Sequence, residues 1–381
     1  MKPITLLQPP RIGFGDGCAP QCADCMAELG AKRVLIVTST PVLPTIGGIL
    51  AALDAAGVAV VQAPCIDREP TCGLFKEVLA AARSAQVDGV LGIGGGSAID
   101  VAKLAAALYD GGQSAHEVFG IGLLRRRALP LVCLPTTAGT GAEVSPNAIL
   151  LDEADELKKG VVSPHLVPDA AYVDPALTVS VPPAVTAATG LDALTHCIEA
   201  YANKHSHPIV DTWALQGIRL ISGHLVRAVR DGSDMEARSA LALGSLFGGL
   251  CLGPVNTAAV HALAYPLGGK YHIAHGVANS LLLPHVLRFN LPAAPQRYAE
   301  IAAALGVPHH ENPSIMAEQG LDFLVRLSTD CGVAQRLSAL GIDRGEIPGL
   351  AASAMKVTRL LVNNLRPLTE ADAASIYDEA W

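Results

Sequence analysis

Val90-Leu91-Gly92-Ile93-Gly94-Gly95-Gly96-Ser97-Ala98-Ile99-Asp100 is the stretch that decides the fold. Val90 to Ile93 is a short apolar run of the kind buried on both faces, so it reads as a strand. Ala98 to Tyr109 carries apolar residues at helical spacing and reads as a helix. The glycines between them let the backbone approach a pyrophosphate with no Cβ in the way. The helix that follows offers unpaired N–H groups and the positive end of its dipole to an anion. Ser97 is expected to cap that helix and to donate to phosphate, and Asp100 to sit in its first turn. The spacing is not G-x-G-x-x-G, and the loop follows the third strand rather than the first.

The same alternation extends in both directions. Upstream, Arg33 to Thr38 reads as a strand, Ile46 to Ala56 as a helix closed by Gly57, Val58 to Gln62 as a strand and Leu74 to Ala85 as a helix. Downstream, Leu129 to Leu134 is a fourth strand. A second glycine loop follows at once: Pro135-Thr136-Thr137-Ala138-Gly139-Thr140-Gly141. Apolar strands separated by amphipathic helices indicate a parallel sheet covered on both faces, hence a doubly wound, Rossmann-like α/β domain. Two polar glycine loops at neighbouring strand ends suit a dinucleotide crevice. Then the pattern changes. Ala148 to Asp152 and Gly160 to Val162 suggest a hairpin, Ala171 to Asp174 a last strand, and from Thr186 the pattern is helical almost to Trp381. Val181-Pro182-Pro183 marks the hinge, so the expected domains are 1–182, α/β and dinucleotide-binding, and 183–381, all-α. A ligand site is expected in a cleft between two such domains.

Bulk properties narrow the function. The formal net charge is −8, and the one basic run, Arg125-Arg126-Arg127, is too short to hold a nucleic acid. Residues 1–10 lack the charged-then-apolar pattern of a signal segment. No charged side chain occurs between Arg238 and Lys270, but Pro254, Asn256, His261, Tyr265 and Pro266 interrupt that stretch. Two core helices joined by a loop are expected there, and no membrane span. Nine scattered cysteines, an odd number, read as reduced thiols of a cytoplasmic protein. Cys18, Cys22 and Cys25 lack a fourth ligand at zinc spacing.

Four polar residues stand in strongly apolar helical segments. Asp192 and His196 are four apart and share a helix face about 6 Å apart along the axis. His261 lies near the end of the next long apolar segment, and His275 follows after a break at Pro266-Leu267-Gly268-Gly269. Burying such groups is costly unless something binds them. One divalent ion, tetrahedral or octahedral, accounts for all four.

Gly94 to Lys103, Pro135 to Ser145, Ala188 to His196 and His261…His275-Gly276-Val277-Ala278-Asn279 together resemble the iron-dependent, or group III, alcohol dehydrogenases. The similarity runs from about Gly13 to the C-terminus, through Asn363-Asn364-Leu365-Arg366-Pro367-Leu368-Thr369. The resemblance implies hydride transfer between NAD or NADP and a small alcohol or aldehyde. It implies Fe2+, with Zn2+ as the alternative, held by Asp192, His196, His261 and His275. It implies Gly94, Gly95, Gly96 and Ser97 on the pyrophosphate, Thr136, Thr137 and Thr140 along the cofactor, and Lys158 near the nicotinamide ribose. A cytoplasmic homodimer or larger homo-oligomer is also implied. Two positions depart from the family. Many relatives carry Asp after the first strand, where it meets the adenosine 2′-hydroxyl; here Ser39 stands there, so nothing negative is expected to oppose NADP. Many relatives also carry His four residues after the third ligand; here it is Tyr265, and Tyr265 or His272 is the expected proton relay. A metal-independent reductase like the maleylacetate reductases, and a lyase like the dehydroquinate synthases, are the rival readings.

Overall fold

The computed structural model describes residues 3–154 and 157–381. The chain divides into two units: Leu6–Ser180, and Val181–Trp381 together with residues 3–5.

The first unit contains β1 (Arg11–Phe14), α1 (Cys22–Glu28), β2 (Arg33–Val37), α2 (Gly47–Ala55), β3 (Ala59–Gln62), α3 (Cys72–Ser84), β4 (Gly89–Gly94), α4 (Gly96–Leu108), α5 (Ala115–Val118), β5 (Gly120–Ile121), β6 (Leu131–Pro135), β7 (Asn147–Asp152), β8 (Leu157–Val162) and β9 (Ala170–Val173). Six strands form one parallel sheet in the order β1-β9-β6-β4-β2-β3. Side-chain parity along the strands builds its two cores. Leu35 and Val37 of β2, Val90 of β4, and Leu131 and Cys133 of β6 join one cluster. Val34 and Ile36, Leu91 and Ile93, and Val132 and Leu134 join the other. Each such fully buried aliphatic contributes roughly 1.5–3 kcal/mol.

The chain passes from β2 outward to β3 and then back across to β4, so the topological switch point lies between β2 and β4. Ligands of open α/β sheets bind at the carboxyl ends of the strands flanking that point. Pairing brings Gly94 opposite Pro135 and Val37 opposite Gly92, which aligns the loops after β2, β4 and β6 along one edge. The expected hairpin is β7–β8, antiparallel from Asn147↔Val162 to Asp152↔Leu157. One main-sheet strand was not expected from sequence: β1, a short and half-exposed edge strand paired with β9, whose alternation is too weak to read.

The second unit is helical: α6 (Pro183–Tyr201), α7 (Pro208–Arg230), α8 (Met235–Leu252), α9 (Ala259–Tyr271), α10 (His275–Asn290), α11 (Pro295–Leu305), α12 (Pro313–Asp330), α13 (Ile347–Ala354), α14 (Thr358–Leu361) and α15 (Glu370–Glu379). α6 starts three residues before Thr186, with proline in its first turn, where a missing N–H costs nothing. From Leu191 to Tyr201 every residue of α6 is buried, so it is the central helix. Buried Arg238 holds its start, donating to Thr186 Oγ1 at 2.8 Å and to the Val181 carbonyl at 3.2 Å. The uncharged stretch after Arg238 forms α8 and α9, separated by a turn with Asn256 at φ 62°. Among the described residues no helix is long and apolar enough to cross a membrane.

Candidate active site

The second unit brings together all four residues expected to hold a metal. Asp192 and His196 project from α6, His261 from the first turn of α9, and His275 opens α10. Asp192 Oδ1 lies 4.0 Å from His196 Nε2, 3.6 Å from His261 Nε2 and 3.7 Å from His275 Nε2. Ligand atoms of Asp192, His261 and His275 all fall within 4.8 Å of one another. The His196 and His261 rings stack at 4.8 Å. Asp192, His196 and His261 are buried, and His275 is half-exposed.

Two further residues complete the cluster, and sequence reasoning missed both. Glu199 lies one turn beyond His196 on α6. Its carboxylate accepts from His261 Nδ1 at 2.6 Å and from the Val260 N–H, in the first turn of α9, at 2.6 Å. It thus occupies a helix N-terminus, where an anion is favoured, and it fixes the His261 tautomer. With Nδ1 donating, the His261 Nε2 lone pair is left for the cluster. Asn279 lies one turn along α10 from His275. Its amide nitrogen sits 2.7 Å from Asp192 Oδ1, 3.1 Å from His261 Nε2 and 3.2 Å from His275 Nε2, while its own Oδ1 is buried with no partner. Two amide hydrogens thus face three acceptors, which a single cation would satisfy together. The donor set, one carboxylate and imidazoles around one point, fits Fe2+ or Zn2+.

The electrostatics call for positive charge at this point. Burial alone would push Asp192 up, but His196, His275 and His261 beside it outweigh burial and hold it far below the usual carboxylate range. Burial likewise opposes charge on His261, yet Glu199 and Asp192 push that group up to about 10.

Of the two expected proton relays, one is near. The Tyr265 ring lies 5.9 Å from the His275 ring, and its hydroxyl accepts from Arg359 at 2.9 Å. His272 is not brought into the cluster. It is the exposed C-cap of α9 at φ 55°, with its backbone N–H bonded to the Leu267 carbonyl.

In the first unit the two glycine loops meet. The Thr136 N–H donates to the Gly94 carbonyl at 3.0 Å, and a Cβ on Gly96 would lie 2.6 Å from Thr140 Cγ2. Thr137 Oγ1 lies beside Gly95. The cap of α4 is Gly95, not Ser97 as expected, and no side chain caps it. The first-turn N–H groups are therefore left for an anion, and Ser97 sits inside that turn. Asp100 lies beyond the first turn and accepts from the Ile149 N–H at 3.0 Å. Buried Lys103 donates to the Ser145 and Asn147 carbonyls at 2.7 and 2.8 Å. These two residues therefore anchor α4 to the segment leading into β7. Lys158 pairs with Glu69 at 3.0 Å.

The loop after β2 carries a charge from a distant part of the sequence. Asp67 accepts from the Thr40 N–H at 2.7 Å and from Thr40 Oγ1 at 2.6 Å. These bonds hold its carboxylate below the usual range, so a negative charge stands against Thr40, the residue after Ser39.

Cys72, His116 and Asp152 form another group with ligand atoms within 4.8 Å. There Lys159 Nζ already sits 2.8 Å from Asp152, supplying the positive charge. Cys18, Cys22 and Cys25 are buried free thiols, and burial pushes Cys18 up to about 11 and Cys22 up to about 12.

A parallel sheet with glycine loops at its carboxyl edge, and a helical unit with an Asp-His-His-His cluster, are features that suit an oxidoreductase. Residues 9–175 match the family described as iron-containing alcohol dehydrogenase, and residues 186–381 match the C-terminal part of the Fe-containing alcohol dehydrogenase family. The chain is 39% identical to long-chain-alcohol dehydrogenase 1 of Geobacillus thermodenitrificans, over 100% of this chain and 98% of that protein. It is 36% identical to 1,3-propanediol dehydrogenase of Klebsiella pneumoniae, over 97% and 96% of the two chains. The crystal structure of a 1,3-propanediol oxidoreductase superposes with a TM-score of 0.97 at 34% identity, covering 100% of both chains. An alcohol dehydrogenase from Oenococcus oeni gives 0.95 at 31%, again over 100% of both. The chain belongs to the iron-containing alcohol dehydrogenase family and is a hydride-transferring oxidoreductase.

Proposed function

We propose that the protein interconverts a small primary alcohol and its aldehyde, with Fe2+ held by Asp192, His196, His261 and His275, and with NAD as the hydride carrier. The observation that carries this reading is the convergence of Asp192, His261 and His275 on one point, with the Asn279 amide directed at the same three acceptors. When bound, the ion supplies Lewis acidity to the alcohol or carbonyl oxygen. Glu199 keeps the His261 Nε2 lone pair aimed at the cluster. Tyr265 handles the proton: its oxygen accepts from Arg359, so its own hydrogen is free to serve the substrate oxygen. Gly94, Gly95, Gly96 and the start of α4 receive the pyrophosphate, with Thr136, Thr137 and Thr140 beside it. Asp67 favours NAD, because a 2′-phosphate near Ser39 would meet a carboxylate. A homodimeric or larger cytoplasmic assembly follows from the family resemblance.

His261→Ala tests the reading. Metal content by mass spectrometry and NADH-dependent aldehyde reduction should both fall to background. Full turnover in a variant stripped of metal would overturn it.

A further inference from the structure

Arg359 is a cation without a counterion. It lies on α14, is half-buried, and stacks its guanidinium 5.8 Å from the Tyr265 ring centroid. One of its five N–H groups goes to the Tyr265 hydroxyl. Among the described residues no carboxylate lies within ion-pair distance of it. Arg297 and Arg344 of this unit are paired, with Asp211 at 2.7 Å and Asp378 at 2.6 Å, and Arg238 is instead satisfied by neutral acceptors, the Thr186 hydroxyl and the Val181 and Gly232 carbonyls. Its backbone is also fixed, because Asn363 Nδ2 bonds both the Arg359 carbonyl, at 3.5 Å, and the Thr257 carbonyl before α9, at 2.8 Å.

The position matters. Tyr265 bridges Arg359 to His275, with the tyrosine ring 5.9 Å from the imidazole and 5.8 Å from the guanidinium carbon. The guanidinium and the metal ligand are therefore no further apart than those two spans laid end to end. The charge balance points the same way. Asp192 and Glu199 offset one divalent ion, the imidazoles being neutral, and the charge of Arg359 is left over. Placing that charge beside a cationic centre is unfavourable unless an anion lies between them. A carboxylate is the planar anion that a guanidinium fork binds with two parallel hydrogen bonds.

We propose that Arg359 is a carboxylate-binding arm of the reaction centre, and that the preferred substrate is a short chain with an alcohol or aldehyde at one end and a carboxylate at the other. In the reductive direction, hydride passes from the reduced nicotinamide to the carbonyl carbon and a proton is added to the carbonyl oxygen, while the distal carboxylate stays unchanged on Arg359. The proposal rests on reading the imidazole cluster as the reaction centre.

The test compares 4-oxobutanoate with butanal, which differ only at the far end, using NADH and wild-type, Arg359→Met and Arg359→Lys enzymes. Calorimetry of 4-hydroxybutyrate without cofactor reads the arm independently of turnover. Wild type should prefer 4-oxobutanoate. The ratio of the two kcat/KM values should fall about tenfold or more in R359M, through KM, and recover in part in R359K. The 4-hydroxybutyrate binding heat should vanish in R359M while NADH affinity is retained. An unchanged ratio in R359M, or a parallel loss of NADH affinity, would overturn the proposal. Wild-type enzyme that binds 4-hydroxybutyrate through Arg359 yet reduces neither aldehyde would sink the reaction assignment and leave the arm standing.

Discussion

Glu199 shows how much of the site one side chain controls. It is buried, accepts two short hydrogen bonds, and decides which nitrogen of His261 faces the cluster. Partners of this kind are typically worth about 10–100-fold in metal affinity. Glu199→Gln is expected to weaken metal retention by about that factor, as read by competition with a chromophoric chelator; unchanged retention would make the contact merely architectural. A signal for it was present, since Glu199 is a charged residue in the apolar run Cys197-Ile198-Glu199-Ala200 and lies three residues after a ligand. Asp192, His196, His261 and His275 were legible for the same reason, as polar groups in segments too apolar to bury them idly. Asp67 was not legible. It stands 27 residues from Thr40, and only the parallel pairing of β2 with β3 brings the two together. Asp67→Asn removes the charge while leaving an oxygen for Thr40. Its NADPH affinity, followed by nucleotide fluorescence, should rise about tenfold with little change for NADH. Equal shifts for both nucleotides would remove Asp67 from any part in discrimination.

At the scale of elements, the decisive contact is between α6 and α10. Gly276 follows His275, and a Cβ built there would lie 1.9 Å from the Ala188 carbonyl oxygen. That is backbone against backbone, so no side chain can yield. Gly276→Ala must push α10 away from α6 and carry His275 from Asp192. A loss of about 1–3 kcal/mol in stability is expected, together with reduced metal content. Thermal melting and metal analysis read the two effects, and an unaltered protein would show that the helices slide freely. The elements themselves were largely legible. Strand and helix alternation from Arg33 to Leu134 follows hydrophobic periodicity, and the hairpin formed by β7 and β8 shows alternating burial along β7. The cap of α4 was misread because Ser97 has the better capping chemistry, whereas the loop needs a backbone without a side chain at that point. Arg359 left no trace in periodicity, because α14 is a single turn.

For the molecule as a whole, the α/β unit carries a buried acid whose protonation bears on stability. Burial pushes Glu143 up to about 7 from an ordinary value of 4.5. A carboxyl raised in the folded state binds its proton more tightly there than in the unfolded chain. Its contribution is therefore favourable at low pH and is lost as pH rises from about 4.5 through about 7. Glu143→Gln cannot ionise and should escape that loss. The melting temperature of the variant relative to wild type should climb between pH 5 and pH 8, and a flat difference would place the ionised group in a compensated environment. Alternation stops near Val181-Pro182-Pro183; one compact unit ends at Ser180, and residues 3–5 go with the other.

Because the main chains of α6 and α10 touch at Gly276, the distance between Asp192 and His275 is written into the backbone rather than into the padding around it. Diversification can therefore work on the walls of the substrate pocket without retuning the reaction centre. A combinatorial library at Arg359, the proposed carboxylate arm, with Gly276 untouched, should yield clones with altered substrate range that still load metal.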